Sequence, residues 1–269
     1  MYVCPDCKTA LIGMRCSHCN HDYPMSKGFP VLLPKDERYR ESREIVDAYD
    51  SIYTEHSNVW ENQGRSTEFI AYFAALIAKY QPQRVLEVGC GEGLVLAAIK
   101  APEKFGTELS AQALQKTQAR TPAQLSVALC ERLPFPDNYF DLIASVGVME
   151  HFIDDHAANS ELRRAVKVGG HYIVLLHVHL TRGQSLQQKI SEYIWPRPHP
   201  IKLVKWLAGK FYKPIHQPVQ NKYTVQAAKT SLEQSGFDVM QVIHKGNTPG
   251  APLIGPHVMI YVCLKSAES

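Results

Sequence analysis

Val85-Leu86-Glu87-Val88-Gly89-Cys90-Gly91-Glu92-Gly93 decides the fold. Val85, Leu86 and Val88 form a short apolar run, the pattern of a strand covered on both faces. Three glycines follow at alternate positions, where the backbone can turn sharply and a ligand can lie directly against it. From Leu94 the chain reads as a helix whose first N–H groups are open to polar ligand atoms. A second strand fits 104–108 and ends on Glu108. In a nucleotide-binding βαβ unit an acid roughly 20 residues past the glycine turn accepts the ribose hydroxyls. The spacing here is Gly-x-Gly-x-Gly, which disfavours a dinucleotide with a pyrophosphate to cradle. Alone, such a turn also reads as a plain strand-to-helix connection.

Downstream segments add weight. Leu133-Pro134-Phe135-Pro136-Asp137-Asn138-Tyr139-Phe140-Asp141 precedes an apolar strand, Val148-Met149-Glu150-His151 follows it, and Arg163–Gly170 ends in a glycine pair. With the glycine turn, these resemble in order the motifs of class I S-adenosylmethionine-dependent methyltransferases. The resemblance implies a Rossmann-like fold and a cofactor site. Glu87 and the Gly89, Cys90, Gly91 and Gly93 backbone would face the methionyl part and the ribose. Glu108 would take the ribose hydroxyls, with Leu109 and Val146 beside the cofactor. The family keeps an acid beside the adenine, and Leu129 stands there instead. Cys130 and Glu131 are the replacements, a surface carboxylate being the alternative for Glu131. His151, near the sulfonium in the family pattern, and His177, closing the fifth strand with His179, are the candidate proton acceptors. Ordering of a turn and a polar strand end are their plainer readings. No Asn-Pro-Pro-Tyr element and no Pro-Cys pair follow the fourth strand, which disfavours methylation of adenine amines and covalent cytosine chemistry.

Strand and helix alternate from 84 onward, with strands expected at 84–88, 104–108, 124–128, 140–145, 171–178, 238–244 and 258–264. This gives an α/β fold, a seven-stranded, mostly parallel sheet with helices on both faces and right-handed crossovers. Thr224 is placed to cap a helix over 225–234, and Gly236 to end it. Lys245–Pro256 reads as a loop. Thr67–Tyr80 carries a broad apolar helical stripe.

Cys4-Pro5-Asp6-Cys7 and Cys16-Ser17-His18-Cys19 are two C-x-x-C knuckles, suited to four thiolates around one zinc. Disulfides or redox cysteines are the alternative, but the thioredoxin-like context is absent. His18 and His21 are read as solvent-facing. From Cys4 to Pro34 the chain resembles the Trm112-like zinc ribbon, which implies a closed structural site. The cysteine-rich start followed by Leu32-Leu33-Pro34 is also similar to bacterial 23S rRNA guanine-N1 methyltransferases, which keeps RNA in view. The expected organisation is a ribbon over 1–36, a linker and cap helix over 37–66, and a methyltransferase domain over 67–269. The cap rests on Arg43–Tyr53, which resembles the segment folded over the cofactor in small-molecule methyltransferases; a linker helix packed on the core is the other reading.

Residues 179–223 break the sheet pattern. They hold eight Lys or Arg against one acid, Glu192, with Tyr193, Trp195, Trp206, Phe211 and Tyr212 interleaved. This can bind phosphates and bases, rest on a membrane surface, or form a solvated helical lid over the acceptor. The net charge of +3 does not by itself indicate nucleic acid. No stretch reaches the 18 apolar residues of a membrane span. The start carries no signal-peptide core, and three scattered cysteines read as reduced, so a cytoplasmic setting is expected. The activity expected is methyl transfer to a small metabolite. An rRNA or tRNA base methyltransferase and a non-catalytic cofactor-binding scaffold are the other two readings.

Overall fold

The computed structural model describes residues 2–35, 42–55, 67–178, 218–244 and 257–267. Most of the insertion, with Tyr193, Trp195 and His179, lies outside the described residues, as do the 245–256 connection and parts of the segment before Thr67.

Two small hairpins open the chain: β1 (Arg15–Cys16) with β2 (His21–Asp22), and β3 (Met25–Ser26) with β4 (Phe29–Pro30). Helices α1 (Ser42–Glu55) and α2 (Thr67–Ala78) follow. The sheet is built from β5 (Arg84–Val88), β6 (Glu103–Glu108), β7 (Gln124–Val127), β8 (Phe140–Val146), β9 (Val166–Val178), β10 (Asp238–His244) and β11 (His257–Leu264). Between them run α3 (Leu94–Ala98), α4 (Ala111–Arg120), α5 (Asp155–Ala165) and α6 (Val225–Gln234).

The seven strands lie in the order β10-β11-β9-β8-β5-β6-β7. β5 to β9 are parallel, and β11 runs antiparallel between β9 and β10. Strand alternation makes two cores. Leu86, Val88 and Phe105 face α5 and α6, whereas Val85 and Leu142 face α2, α3 and α4. Chain order reverses between β5 and β8, and a doubly wound sheet binds ligands beyond the strand ends at such a point.

β9 is longer than the expected 171–178. It starts at Val166, and its register with β8 shifts between Phe140 and Leu142. Gly169, at φ 78, absorbs the irregularity. The 225–234 helix is as expected, with the Thr224 hydroxyl accepting from the Ala227 N–H.

The motifs support one another. Asp141 Oδ2 accepts from the Arg84 N–H at 2.7 Å and the Gln83 N–H at 3.0 Å, fixing the start of β5. Arg164 donates to the carbonyls of Phe135 at 2.8 Å and Leu133 at 3.2 Å. These residues hold the frame of the cleft and do not line it.

The N-terminal hairpins are docked along the β7 edge. The Leu32 N–H donates to the Val127 carbonyl at 2.8 Å, and Val31 makes a parallel bridge to Val127. The Val3 N–H reaches the Pro134 carbonyl at 3.0 Å, and the Tyr2 ring meets that of Phe135 at a tilt, centroids 5.6 Å apart. Lys8 Nζ joins Glu161 at 2.7 Å and the Leu133 carbonyl at 3.1 Å. Burial would raise the Glu161 pKa, but the Arg164 hydrogen bonds and the Lys8 charge hold it below its ordinary value. Its contribution is therefore full above about pH 4.3, the unfolded value, and is lost as pH falls through the lower folded value. Lys8→Met should cost about 1–3 kcal/mol at neutral pH. The melts of mutant and wild type should converge in acid; an equal gap at both pH values would reject this clamp.

Candidate active site

β5 delivers a carboxylate into an apolar sheet. Glu87 is fully buried, and its register neighbours are Gly106 on β6 and Ala144 on β8. Both are small, which leaves room for the side chain at the strand end. The turn then takes Gly89, Gly91 and Gly93 to φ 59, 54 and 76. A Cβ at Gly89 would lie 2.5 Å from Val148 Cγ2, and one at Gly93 would lie 2.9 Å from the Thr117 Cα. These positions require glycine for both conformation and space.

The N–H groups of this turn are mostly spent inside the protein. Cys90 donates to the Thr107 carbonyl at 3.0 Å, Gly93 to the Cys90 carbonyl at 2.9 Å, and Gly91 to Glu108 Oε2 at 2.9 Å. The helix behind the turn has only five residues. The turn is therefore a bare backbone floor and not the cradle of free donors that the sequence pattern suggests. The Cys90 thiol is buried in the core, and burial pushes its pKa up. Lys116 reaches the buried Glu92 at 2.8 Å, and the Thr117 hydroxyl reaches the Gly91 carbonyl at 2.8 Å. Both hold the turn against α4.

Glu108 closes β6 above this floor. Besides Gly91, it accepts from Leu109 N–H at 2.8 Å and Ser110 N–H at 3.4 Å. It lines a partly open, mostly apolar cleft. Gly89, Gly147 and Val148 form one side of the cleft, Leu109, Ala128, Leu129 and Cys130 another, and Phe152 and His151 an end. Val146 is buried beneath it, and the next two residues supply the wall.

Ile45, Tyr49 and Tyr53 of α1 complete the enclosure, so this helix lies over the cleft. Asp50 accepts from the Ser110 hydroxyl and from the Gln112 N–H at 3.2 Å, tying α1 to the start of α4.

Glu131 is buried, not a surface carboxylate. Its Oε1 accepts from Ile153 N–H at 2.7 Å and Asp154 N–H at 3.4 Å, ordering the turn before α5. Burial raises its pKa despite those bonds. His151 Nδ1 lies 2.5 Å from the Val219 carbonyl. A carbonyl only accepts, so Nδ1 carries the proton and Nε2 of the neutral ring is an acceptor. Asn221 donates to the Phe152 carbonyl at 2.7 Å, and its N–H to the Glu150 carbonyl at 2.6 Å. The returning end of the insertion is thus fastened to the turn that carries His151. His177, half-exposed near the end of β9, pairs with Glu150, which the sequence motif contained but did not single out.

The four N-terminal thiols converge. Their sulfur atoms all lie within 4.8 Å of one another, with Cys7–Cys16 at 3.5 Å and Cys4–Cys19 at 3.9 Å. Four thiolates around zinc at 2.3 Å stand about 3.8 Å apart, whereas a disulfide needs about 2.05 Å. Tyr23 hydroxyl lies 3.0 Å from Cys4 Sγ, and the Cys19 N–H donates to Cys16 Sγ at 3.3 Å, supplying outer support. His18 is exposed and His21 partly so, its ring standing edge-on to Tyr23.

The strand order with its antiparallel β11, the glycine floor and the acid ending β6 define a class I methyltransferase fold. The methyltransferase-domain family matches residues 86–174. The ubiquinone/menaquinone biosynthesis C-methyltransferase UbiE of Burkholderia mallei is 28% identical over 176 residues, spanning 59% of this chain and 68% of its own length. The Burkholderia thailandensis enzyme of that name matches to the same extent. Among solved structures, a chain of the complex between the Haloferax volcanii Trm112 methyltransferase activator and a methyltransferase aligns at TM-score 0.56 and 14% identity. It covers 81% of this chain and 98% of that one. The [4+2]-cyclase SpnF aligns at TM-score 0.55 and 17% identity, covering 88% and 99%. A fold shared with a cyclase does not set the chemistry; the family match and the sequence relatives do. The chain is an S-adenosylmethionine-dependent class I methyltransferase. No helix among the described residues is long and apolar enough to cross a membrane.

Proposed function

We propose that the protein methylates a small hydroxylated aromatic acceptor, of the reduced-quinone type that the relatives' name suggests. The observation that carries the cofactor part is the Glu108 carboxylate, fixed over a side-chain-free glycine floor at one wall of an apolar cleft. The residues suit S-adenosylmethionine. Glu108 would take the ribose hydroxyls, and Glu87 with the Gly89–Gly93 floor the methionyl end. Leu109, Leu129 and Val148 would flank the base, with Cys130 and Glu131 at its edge. Bound there, the cofactor supplies an electrophilic methyl group on a sulfonium. The protein's part is to hold the acceptor in line, to exclude water with Tyr49 and Tyr53, and to receive a proton. His151 and His177 are the two groups offered for that proton.

The ribbon's Cys4, Cys7, Cys16 and Cys19 hold a structural zinc in this reading, in a reducing, cytoplasmic setting. The insertion over 179–223 chooses the acceptor; its anchored end beside His151 supports that placement.

The test is transfer of label from tritium-methyl S-adenosylmethionine to naphthohydroquinone. Product requiring Glu108 and lost when α1 is deleted is expected. Label entering ribosomal or transfer RNA instead, with strongly salt-dependent binding, would replace the acceptor class. Cofactor binding without transfer to either would leave a scaffold.

A further inference from the structure

Glu150 has no task in the scheme above. It sits in the turn after β8, beside His151, with a side chain only 6% exposed. Its Oε1 accepts twice from one residue: from His177 Nδ1 at 2.7 Å and from the His177 N–H at 3.2 Å. Burial pushes the Glu150 pKa up, but the His177 hydrogen bond and charge outweigh it and leave the carboxyl below its ordinary value. An ionised carboxylate only accepts, so Nδ1 carries the ring proton and Nε2 is left as the basic atom.

Two further facts point to a ligand. Glu150 Oε2 is buried and has no hydrogen-bond partner among the described residues, the condition of a group that a bound molecule completes. The His177 side chain is 52% exposed and stands near the end of β9, whose parallel neighbour β8 leads directly into Gly147 and Val148 of the cleft wall. His151 differs from it: its Nδ1 donates to a neutral backbone carbonyl, which does less to stabilise positive charge arriving on the ring than a carboxylate does.

We propose that Glu150 is a positioning residue that orients His177, and that His177 Nε2 is the catalytic base for an acceptor bearing an ionisable hydroxyl. This rests on the methyltransferase reading of the cleft. Methylation of a neutral hydroxylated ring requires that one proton leave. The hydroxyl O–H bond breaks, its electron pair stays on oxygen and enters the ring, and the proton passes to His177 Nε2. The new bond takes its electron pair from the acceptor, while the pair of the broken C–S bond stays on sulfur. For transfer to oxygen, the imidazolium then releases its proton to solvent. For transfer to carbon, the ring C–H proton leaves to water and the imidazolium returns the first proton to oxygen. Either way, one proton is released per methyl.

The experiment compares wild type, Glu150→Gln, Glu150→Asp and His177→Gln, with naphthohydroquinone as acceptor. The Gln variants should lower kcat by about 100-fold or more, with acceptor KM and cofactor affinity within about three-fold, and Glu150→Asp should recover part of the loss. Independently of turnover, nitrogen NMR of the histidine rings should find neutral His177 protonated on Nδ1 in wild type, and that preference weakened in Glu150→Gln, whose amide can present either its oxygen or its NH2 to the ring. His177→Gln changes a half-exposed side chain and keeps the test valid if Glu150→Gln misfolds. Undiminished kcat in His177→Gln, or an Nε2-protonated ring in wild type, would overturn the proposal. Wild type that leaves naphthohydroquinone unmethylated would reject the acceptor class instead, and the ring tautomer alone would then decide for or against the pair.

Discussion

Freshly purified, reduced protein should contain one zinc per chain, and stripping it should destabilise the whole fold and not the ribbon alone. The four thiols are gathered at zinc-ligand separations in a segment whose own apolar cluster is small: Cys4, Cys16, Tyr23 and Leu32 are its buried members. In isolated zinc-binding peptides such a site contributes about 10–16 kcal/mol of apparent binding energy, so a bound zinc would supply most of the stability of so small a unit. What the ribbon then does for the sheet is visible in its docking bonds, Leu32 to Val127, Val3 to Pro134 and Tyr2 to Leu125. At about 1 kcal/mol each, their loss alone removes about 3 kcal/mol, or roughly 6–12 °C in Tm for a chain of this size. Cys4→Ser and chelation should both produce this drop, followed by calorimetry with metal analysis alongside. An unmoved transition after complete chelation, or no zinc in the starting protein, would refute the assignment.

Glu108→Ala should weaken S-adenosylmethionine binding by about 1–3 kcal/mol, a roughly five- to 150-fold rise in Kd. The carboxylate accepts from Gly91, Leu109 and Ser110, so it links the glycine floor to the start of α4. Removing it takes away the proposed ribose partner and also leaves three buried or half-buried N–H groups without their acceptor. Glu108→Gln separates the two effects. It keeps one oxygen for the backbone but turns an NH2 toward the donors of the other, so its Tm should fall less than that of Glu108→Ala while affinity still falls. Titration calorimetry reads the affinity. Equal Kd values for wild type and Glu108→Ala would remove Glu108 from the cofactor site.

The sheet was legible because parallel strands covered on both faces are short apolar runs, and because helix ends announce themselves through residues such as Thr224 and Gly236. The long β9 was not, since Gly169-Gly170 reads as a turn although a single positive φ at Gly169 lets the strand continue through it. Around the cleft, chemistry-bearing types, the Arg43–Tyr53 segment as one of two readings, and Leu129 at the adenine position were visible, but the remaining walls were not. Val148 and Phe152 look like core residues in any one-dimensional pattern, and only the folded chain brings them to the cleft. Glu150 escaped because its partner, His177, lies a whole helix and strand away. The glycine turn misled in the other direction: its alternate glycines suggest free donors, but Thr107, Cys90 and Glu108 take those protons.

The docking of the ribbon on β7 also bears on how the chain avoids itself. A parallel sheet ends in a row of unmet backbone groups, and β7, with Leu125 and Val127, would otherwise offer an apolar template for strand addition by another chain. Val31 and Leu32 occupy that template. On the far side, β10 pairs only with β11 among the described residues, but it carries a register shift between Val239 and Gln241 and the polar ends Asp238 and His244, features that discourage edge-to-edge association. The two margins are therefore guarded differently, one by its own irregularity and one by the docked N-terminal segment that carries the four-cysteine cluster. Growth of oligomers and fibres from metal-starved protein should begin at Gln124–Val127, and zinc present during synthesis should act as an aggregation suppressor before it matters to any catalytic step.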